Sequence, residues 1–241
     1  MRRVSVVIFL IFSFTYSSGL LGARLPQNIS VADLRVLVKT LAFGNTTKVM
    51  RSAEAYPVYP GLRVSVETSL VRSGELSEMG NGTASLPVVI PSPRLTLTKG
   101  LGMGLEAAMN ISTQQLINTI STFGLLGKWT LIDEQDSFAT SAIFTSYTSL
   151  NGFSDNFRGS NFEAGFVASQ DYVRIKPYVG MGLLLASGTV PRSICVESQQ
   201  STIFSPHLFL GAEIELPMNI TFQMDFTDWI PTGSLALGYK F

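Results

Sequence analysis

The sequence is short of the residues from which most catalytic and regulatory chemistry is built. It holds one cysteine, Cys195, so no disulfide can form within the chain, and the paired-cysteine motifs of zinc and redox proteins are missing. It holds one histidine, His207. A catalytic triad or an Asp/His protease pair would have to use it, with Asp225 or Glu213 as carboxylates close by in sequence. Nothing else reads as a nucleophile with an activating base, so no catalytic residue is assigned. Only 14% of residues are charged and the formal net charge is +0, which leaves no footprint for nucleic acid and no acidic or basic tail. Beyond residue 23 no apolar run reaches the 18 residues of a membrane-crossing helix. The stretch GLGMGLEA mimics a dinucleotide-binding loop, but the residues after it alternate with period two instead of opening a helix. No cofactor and no metal ligand set is predicted. Asn28, Asn45, Asn81, Asn110 and Asn219 begin N-x-S/T triplets that read as chance matches in a Ser/Thr-rich, bacterial-looking chain.

The features that are present begin with a leader. Arg2 and Arg3 precede an apolar run from Val6 to Phe14, and Ser17-Ser18-Gly19 supplies small residues for cleavage, so residues 1–23 read as a secretory signal peptide cut near Gly19 or Ala23. The apolar run is well short of the roughly 20 residues that span a ~30 Å hydrocarbon core. No cysteine near the cut offers a lipoprotein anchor. Residues 24–59 then read as a separate amino-terminal segment on the periplasmic side. Within it Ser30 is placed to cap a helix with Asp33. Val31, Leu34, Leu37, Val38 and Leu41 recur at helical spacing, and Gly44 ends the pattern, predicting a short amphipathic helix near 31–42. Amphipathic spacing shows only that one face is covered. The helix is expected to sit on the end of the main domain, where it would cover the periplasmic mouth, with a plug entering that domain as the alternative.

From residue 60 the period becomes two. About ten strands emerge, mostly 9–11 residues long, joined by alternating long links (72–91, 112–122, 150–159, 187–204, 228–232) and short ones (Gly100, 133–137, 171–173, Pro217). A bulge is expected near 138–149, where Phe138 and Phe144 compete with Ile143 and Tyr147 for the apolar face. One face of the alternation is apolar. The other carries glycine and balanced charge: Arg63, Arg94, Lys128, Arg174, Lys176 and Lys240 against Glu67, Glu106, Glu163, Glu213, Glu215 and Asp225. Alternation alone does not say which face is inside. Leader, link sorting and strand length together predict an all-β, antiparallel, up-and-down transmembrane barrel over residues 60–241. Lipid would lie outside it, and the charges would pair across a narrow lumen. A soluble lipocalin-like carrier would need the opposite arrangement.

The octet SLALGYKF, with Leu235, Leu237, Tyr239 and Phe241 on one face, resembles the closing strand of Gram-negative outer-membrane β-barrel proteins. That resemblance implies bacterial outer-membrane localisation after Sec-type export, outer-membrane lipid as surroundings, and those four residues as the signal read by the barrel-assembly machinery. It also implies that this strand pairs with the first to close the barrel. More faintly, LTLTKGL, VASQDY and KPYVGMG resemble uncharacterised outer-membrane proteins of similar size, from which no activity carries over. The expected function is non-enzymatic: a narrow channel for small solutes, or a structural or surface protein. The alternative is a barrel enzyme acting on lipid or peptide at the outer leaflet.

Overall fold

The computed structural model describes residues 29–72, 74, 76, 79, 89–112, 120–133, 138–152, 156–190 and 199–241; the leader expected over 1–23 lies outside them. Among these residues, ten antiparallel strands come after one short helix, α1 (Val31–Val38). They are β1 (Leu62–Arg72), β2 (Val89–Gly102), β3 (Leu105–Ser112), β4 (Ile120–Ile132), β5 (Thr140–Gly152), β6 (Phe157–Ser169), β7 (Ile175–Val190), β8 (Gln199–Ile214), β9 (Asn219–Thr227) and β10 (Ile230–Lys240). Each strand pairs with its neighbours in sequence, and β10 pairs with β1 from Arg63↔Lys240 to Leu70↔Gly233, so the sheet is a closed barrel. Closure removes both sheet edges.

The alternation read from the sequence fixes the two faces. In β7, Lys176, Tyr178, Gly180, Gly182 and Leu184 point into the barrel while Val179, Met181, Leu183 and Leu185 are exposed, Met181 by 59%. The same holds around the barrel, with Phe123, Leu125, Trp129, Phe162, Phe204, Leu208, Phe222 and Met224 outside. In water a continuous band of this kind would be an aggregation surface. Facing acyl chains, it is the exterior of a transmembrane barrel. The polar face is inside, which excludes the lipocalin-like arrangement.

Three local expectations are revised. The turn between β2 and β3 falls at Met103-Gly104 instead of Lys99-Gly100. Lys99 is still paired with Ala107, and the positive φ angles that a two-residue turn requires belong to Gly102 (94°), Met103 (53°) and Gly104 (76°). The irregularity near β5 lies in its partner, between Thr130 and Ile132 of β4, and Phe138 stands in the link before β5, which leaves Phe144 free to point inward. The links are also less sorted than expected. The long set contracts to 73–88, 113–119, 153–156, 191–198 and 228–229, while the short set is 103–104, 133–139, 170–174 and 215–218. Polar residues at the strand ends continue the ladder beyond the point where apolar alternation fades, so 228–232 reduces to the two-residue turn Asp228-Trp229, both at positive φ. The barrel has a near mouth, where β1 begins and β10 ends, and a far mouth opposite it.

Residues 29–61 do not sit on the outside of this barrel. The capping box expected at Ser30 forms, with the Asp33 backbone N–H donating to Ser30 Oγ (3.1 Å) and the Ser30 N–H to Asp33 Oδ2 (3.0 Å). After α1 the chain widens into a π-helical turn, Lys39–Phe43. Leu34, Leu37, Val38 and Leu41 are fully buried against Ile120, Leu150, Phe157, Leu184, Ala186, Val190 and Ile203, which are inward-facing residues of β4 to β8 near the far mouth. The helix therefore caps the lumen from within at the far mouth, not at the near mouth where it was expected. From Gly44 the chain descends through the lumen to Gly61 at the near mouth.

Candidate functional site

The distinctive site is the lumen and the segment that fills it. Its contacts run in order down the barrel. Near the far mouth Asn45 Oδ1 accepts from Ser92 Oγ (2.6 Å), and the Arg94 guanidinium donates to the backbone carbonyl of Thr46 (2.6 Å) and to Ser69 Oγ (2.9 Å). One residue lower, the Thr47 N–H donates to Thr148 Oγ1 (2.9 Å), the two threonine hydroxyls lie 2.8 Å apart, and Asn110 Nδ2 donates to Thr47 Oγ1 (3.0 Å). The wall opposite Thr47 is Gly124. A Cβ there would lie 2.0 Å from the Thr47 hydroxyl, so only glycine leaves room for the segment.

At mid-height Lys48 Nζ meets Asp225 (2.5 Å) and donates to Ser234 Oγ (2.8 Å). Below it Val49 and Ala53 pack on an apolar patch of Leu126, Ala142, Phe144, Val167, Tyr178 and Phe209. Arg51 pairs with Glu106 and stacks on Tyr56, its Cζ 3.5 Å from the ring centroid. Lys128 Nζ donates to the carbonyls of Ser52 (2.8 Å) and Glu54 (2.9 Å), and Glu54 pairs with Lys176. At the near mouth Lys99 Nζ holds the carbonyls of Val58 (2.8 Å) and Pro60 (2.6 Å).

The predicted lumen charges can be placed against this. Arg63, Glu67, Arg94, Glu106, Lys128, Glu163, Lys176, Glu213 and Asp225 are buried inside the barrel. Glu215 and Lys240 are half-buried near the near mouth and pair with each other (2.5 Å), and Lys240 also approaches Glu213 (3.7 Å). Arg174 is the exception. It is exposed in the turn 170–174, one residue before β7, with its N–H donating to the Tyr172 carbonyl, so it never joins the inward face. Some pairs lie within the wall, as between Arg63 of β1 and Glu213 of β8 (3.6 Å) and between the cross-strand neighbours Lys128 and Glu106 (3.5 Å). Asp225, Glu106 and Lys176, however, each find a partner in the internal segment. Lys48, Arg51 and Glu54 supply that half of the pairing and carry no periodic signal in the sequence.

His207 is the second residue whose role the sequence conceals. It lies buried in the lumen wall, with Nδ1 2.6 Å from Glu163 Oε1 and Nε2 3.1 Å from Asp225 Oδ1. Each ring nitrogen therefore has a carboxyl oxygen within hydrogen-bond reach. Neither nitrogen is free to take a proton from a nucleophile, which is what a triad histidine must do. Gln223 extends the network, donating to Asp225 Oδ1 (2.6 Å) and accepting from the Tyr178 hydroxyl (2.9 Å).

The four residues expected to form an assembly signal all lie on the outward face of β10 and its end. Tyr239 and Phe241 meet edge to face with centroids 4.9 Å apart, and the Phe241 N–H donates to the Leu62 carbonyl (2.8 Å) across the closing seam.

Compared with known proteins, the sequence matches no family model and no curated relative. Among solved structures it is similar to the N-terminal β-barrel domain of Pseudomonas aeruginosa OprF, at 11% identity over 74% of this chain and 97% of that one, with a TM-score of 0.34. It is similar to the KdgM porin at 6% identity, over 74% and 99% of the two chains, with a TM-score of 0.37. Ail, the attachment invasion locus protein of Yersinia pestis, shows 13% identity over 73% and 93%, with a TM-score of 0.30. The class of the present chain follows from its own closed strand order and the polarity of its two faces: a ten-strand barrel with an apolar exterior and a filled polar interior.

Proposed function

We propose that this is a non-enzymatic outer-membrane barrel of the structural or surface type, closed in its resting state by its own amino-terminal segment. The observation that carries this reading is the burial of the lumen wall. Thr148, Glu213, Asp225, Lys128 and Arg63 are each between 0 and 2% exposed. A water-filled pore leaves its lining accessible from inside, whereas these side chains touch no water-sized space. The apolar exterior supports a membrane setting, and the long links 73–88 and 191–198 support the far mouth as the external one, since such barrels carry long loops outside and short turns in the periplasm. The closing strand β10 is the segment offered to the assembly machinery. The enzymatic alternative would need a base with a free nitrogen beside a nucleophile, and the one histidine has both nitrogens on carboxylates.

Reconstituted in planar bilayers, the intact protein carries no steady current on this reading, because ion passage requires a continuous aqueous path. A stable, voltage-independent open level from every inserted molecule would replace the closed barrel with an open porin.

A further inference from the structure

We infer that the internal segment enters the barrel from the cell exterior, so that the first turn of α1 is presented at the cell surface and the barrel displays the amino-terminal end of its own internal segment. This rests on the outer-membrane reading of the barrel, because that reading supplies the two compartments. Three observations carry the direction. The contacts of residues 38 to 60 fall in strict order from far mouth to near mouth: Val38 against Gly188, Gly44 against Val71, Thr46 on Arg94, Thr47 on Thr148, Lys48 on Asp225, Arg51 on Glu106, Glu54 on Lys176 and Pro60 on Lys99. Nothing in that order doubles back. The length also suffices, since an extended chain covers about 3.3 Å per residue and residues 44–60 therefore reach well beyond a ~30 Å hydrocarbon core.

The third observation is the fixing of the upper end. Lys39 pairs with Asp228 in the far-mouth turn, and the buried side of α1 is held among β4 to β8. Ser30, Val31, Ala32 and Arg35 are left exposed, Val31 by 64%. A barrel of ten strands returns both ends of its sheet to the near mouth, so a segment preceding β1 would lie wholly on that side if it did not cross. This one crosses inside the sheet as an additional traverse. A sequence joined ahead of Ile29 would accordingly be delivered to the exterior.

The test is cysteine labelling in a Cys195→Ser background, with Val31→Cys on α1, Trp229→Cys in the far-mouth turn (87% exposed) and Tyr59→Cys at the near mouth (90% exposed). A membrane-impermeant maleimide is applied to whole cells, then to cells whose outer membrane has been permeabilised, and folded barrel is scored by heat-modifiable migration. Val31→Cys and Trp229→Cys should react in whole cells, and Tyr59→Cys at least tenfold faster after permeabilisation than before. Arg35→Cys replaces Val31→Cys if the latter does not fold. Reaction of Trp229→Cys in whole cells with Val31→Cys and Arg35→Cys protected until permeabilisation overturns this inference and leaves the outer-membrane reading standing. Protection of Trp229→Cys in whole cells overturns both.

Discussion

Asp225 joins the internal segment to two residues of the lumen wall. Lys48 from the internal segment, His207 from β8 and Gln223 from its own strand all converge on it. A buried charge that loses its partner costs about 3–5 kcal/mol, because the cation left behind stays desolvated. Asp225→Asn is therefore expected to destabilise the folded barrel by roughly that amount, read as a lowered urea midpoint in detergent or lipid. Lys48→Met should cost at least about 1 kcal/mol less in the Asp225→Asn background than alone, since the pair shares one interaction. Strictly additive costs would mean that Lys48 does not reach Asp225. At Gly124, where a Cβ would collide with Thr47, Gly124→Val should destabilise the barrel and expose the lumen wall, whereas Gly127→Ala, whose Cβ has its nearest neighbour 3.8 Å away, should be close to neutral. His207 and Lys48 are the least legible residues in the sequence. Of the two partners of His207, Asp225 is offered by its nearness in sequence, whereas Glu163, 44 positions away, becomes a neighbour only once strands are registered.

The strands are the elements most legible in the sequence, because a period of two survives wherever one face meets lipid and the other meets polar groups. In β7, Met181 and Gly182 sit one residue apart on opposite faces. Met181→Arg should cost about 2–4 kcal/mol near mid-membrane. Gly182→Arg should fail sterically instead, as a Cβ there would already lie 2.6 Å from Glu163 Oε1. In β10, deleting Phe241 removes the last seam hydrogen bond to Leu62 and half of an edge-to-face pair. If that end is read during assembly, the truncated chain is exported but accumulates in the periplasm; normal outer-membrane levels would refute the role. The helix is legible too, cap included, but its location is not. The adjoining stretch, GNTTKVMRSAEAYPVYP, looks like a linker because it is polar and aperiodic. Here polarity means the opposite of exposure. The barrel's interior is largely polar, so the chain that fills it is held by hydrogen bonds and ion pairs at Asn45, Thr46, Thr47, Lys48, Arg51 and Glu54 and by apolar contacts at Val49 and Ala53.

At the scale of the whole molecule the protein is inverted relative to a soluble domain, with its apolar surface turned to lipid and its buried core polar and charged. Such a core is stable only when its groups are satisfied, and the wall alone does not achieve this: Asp225, Glu106, Lys128 and Arg94 each take a partner from residues 45–54. Segment and barrel are thus one cooperative structure, and closure of the lumen is a consequence of folding. The most direct test of this claim is a disulfide between Thr47→Cys and Thr148→Cys, whose hydroxyls now lie 2.8 Å apart, in a Cys195→Ser chain under mild oxidation. The account predicts that the link forms within single molecules of folded, heat-modifiable barrel and is found as a joined peptide by mass spectrometry. Folded barrel in which both thiols stay free and alkylate as fast as a surface cysteine would show that the segment lies elsewhere, and the account of a self-filled barrel would be wrong.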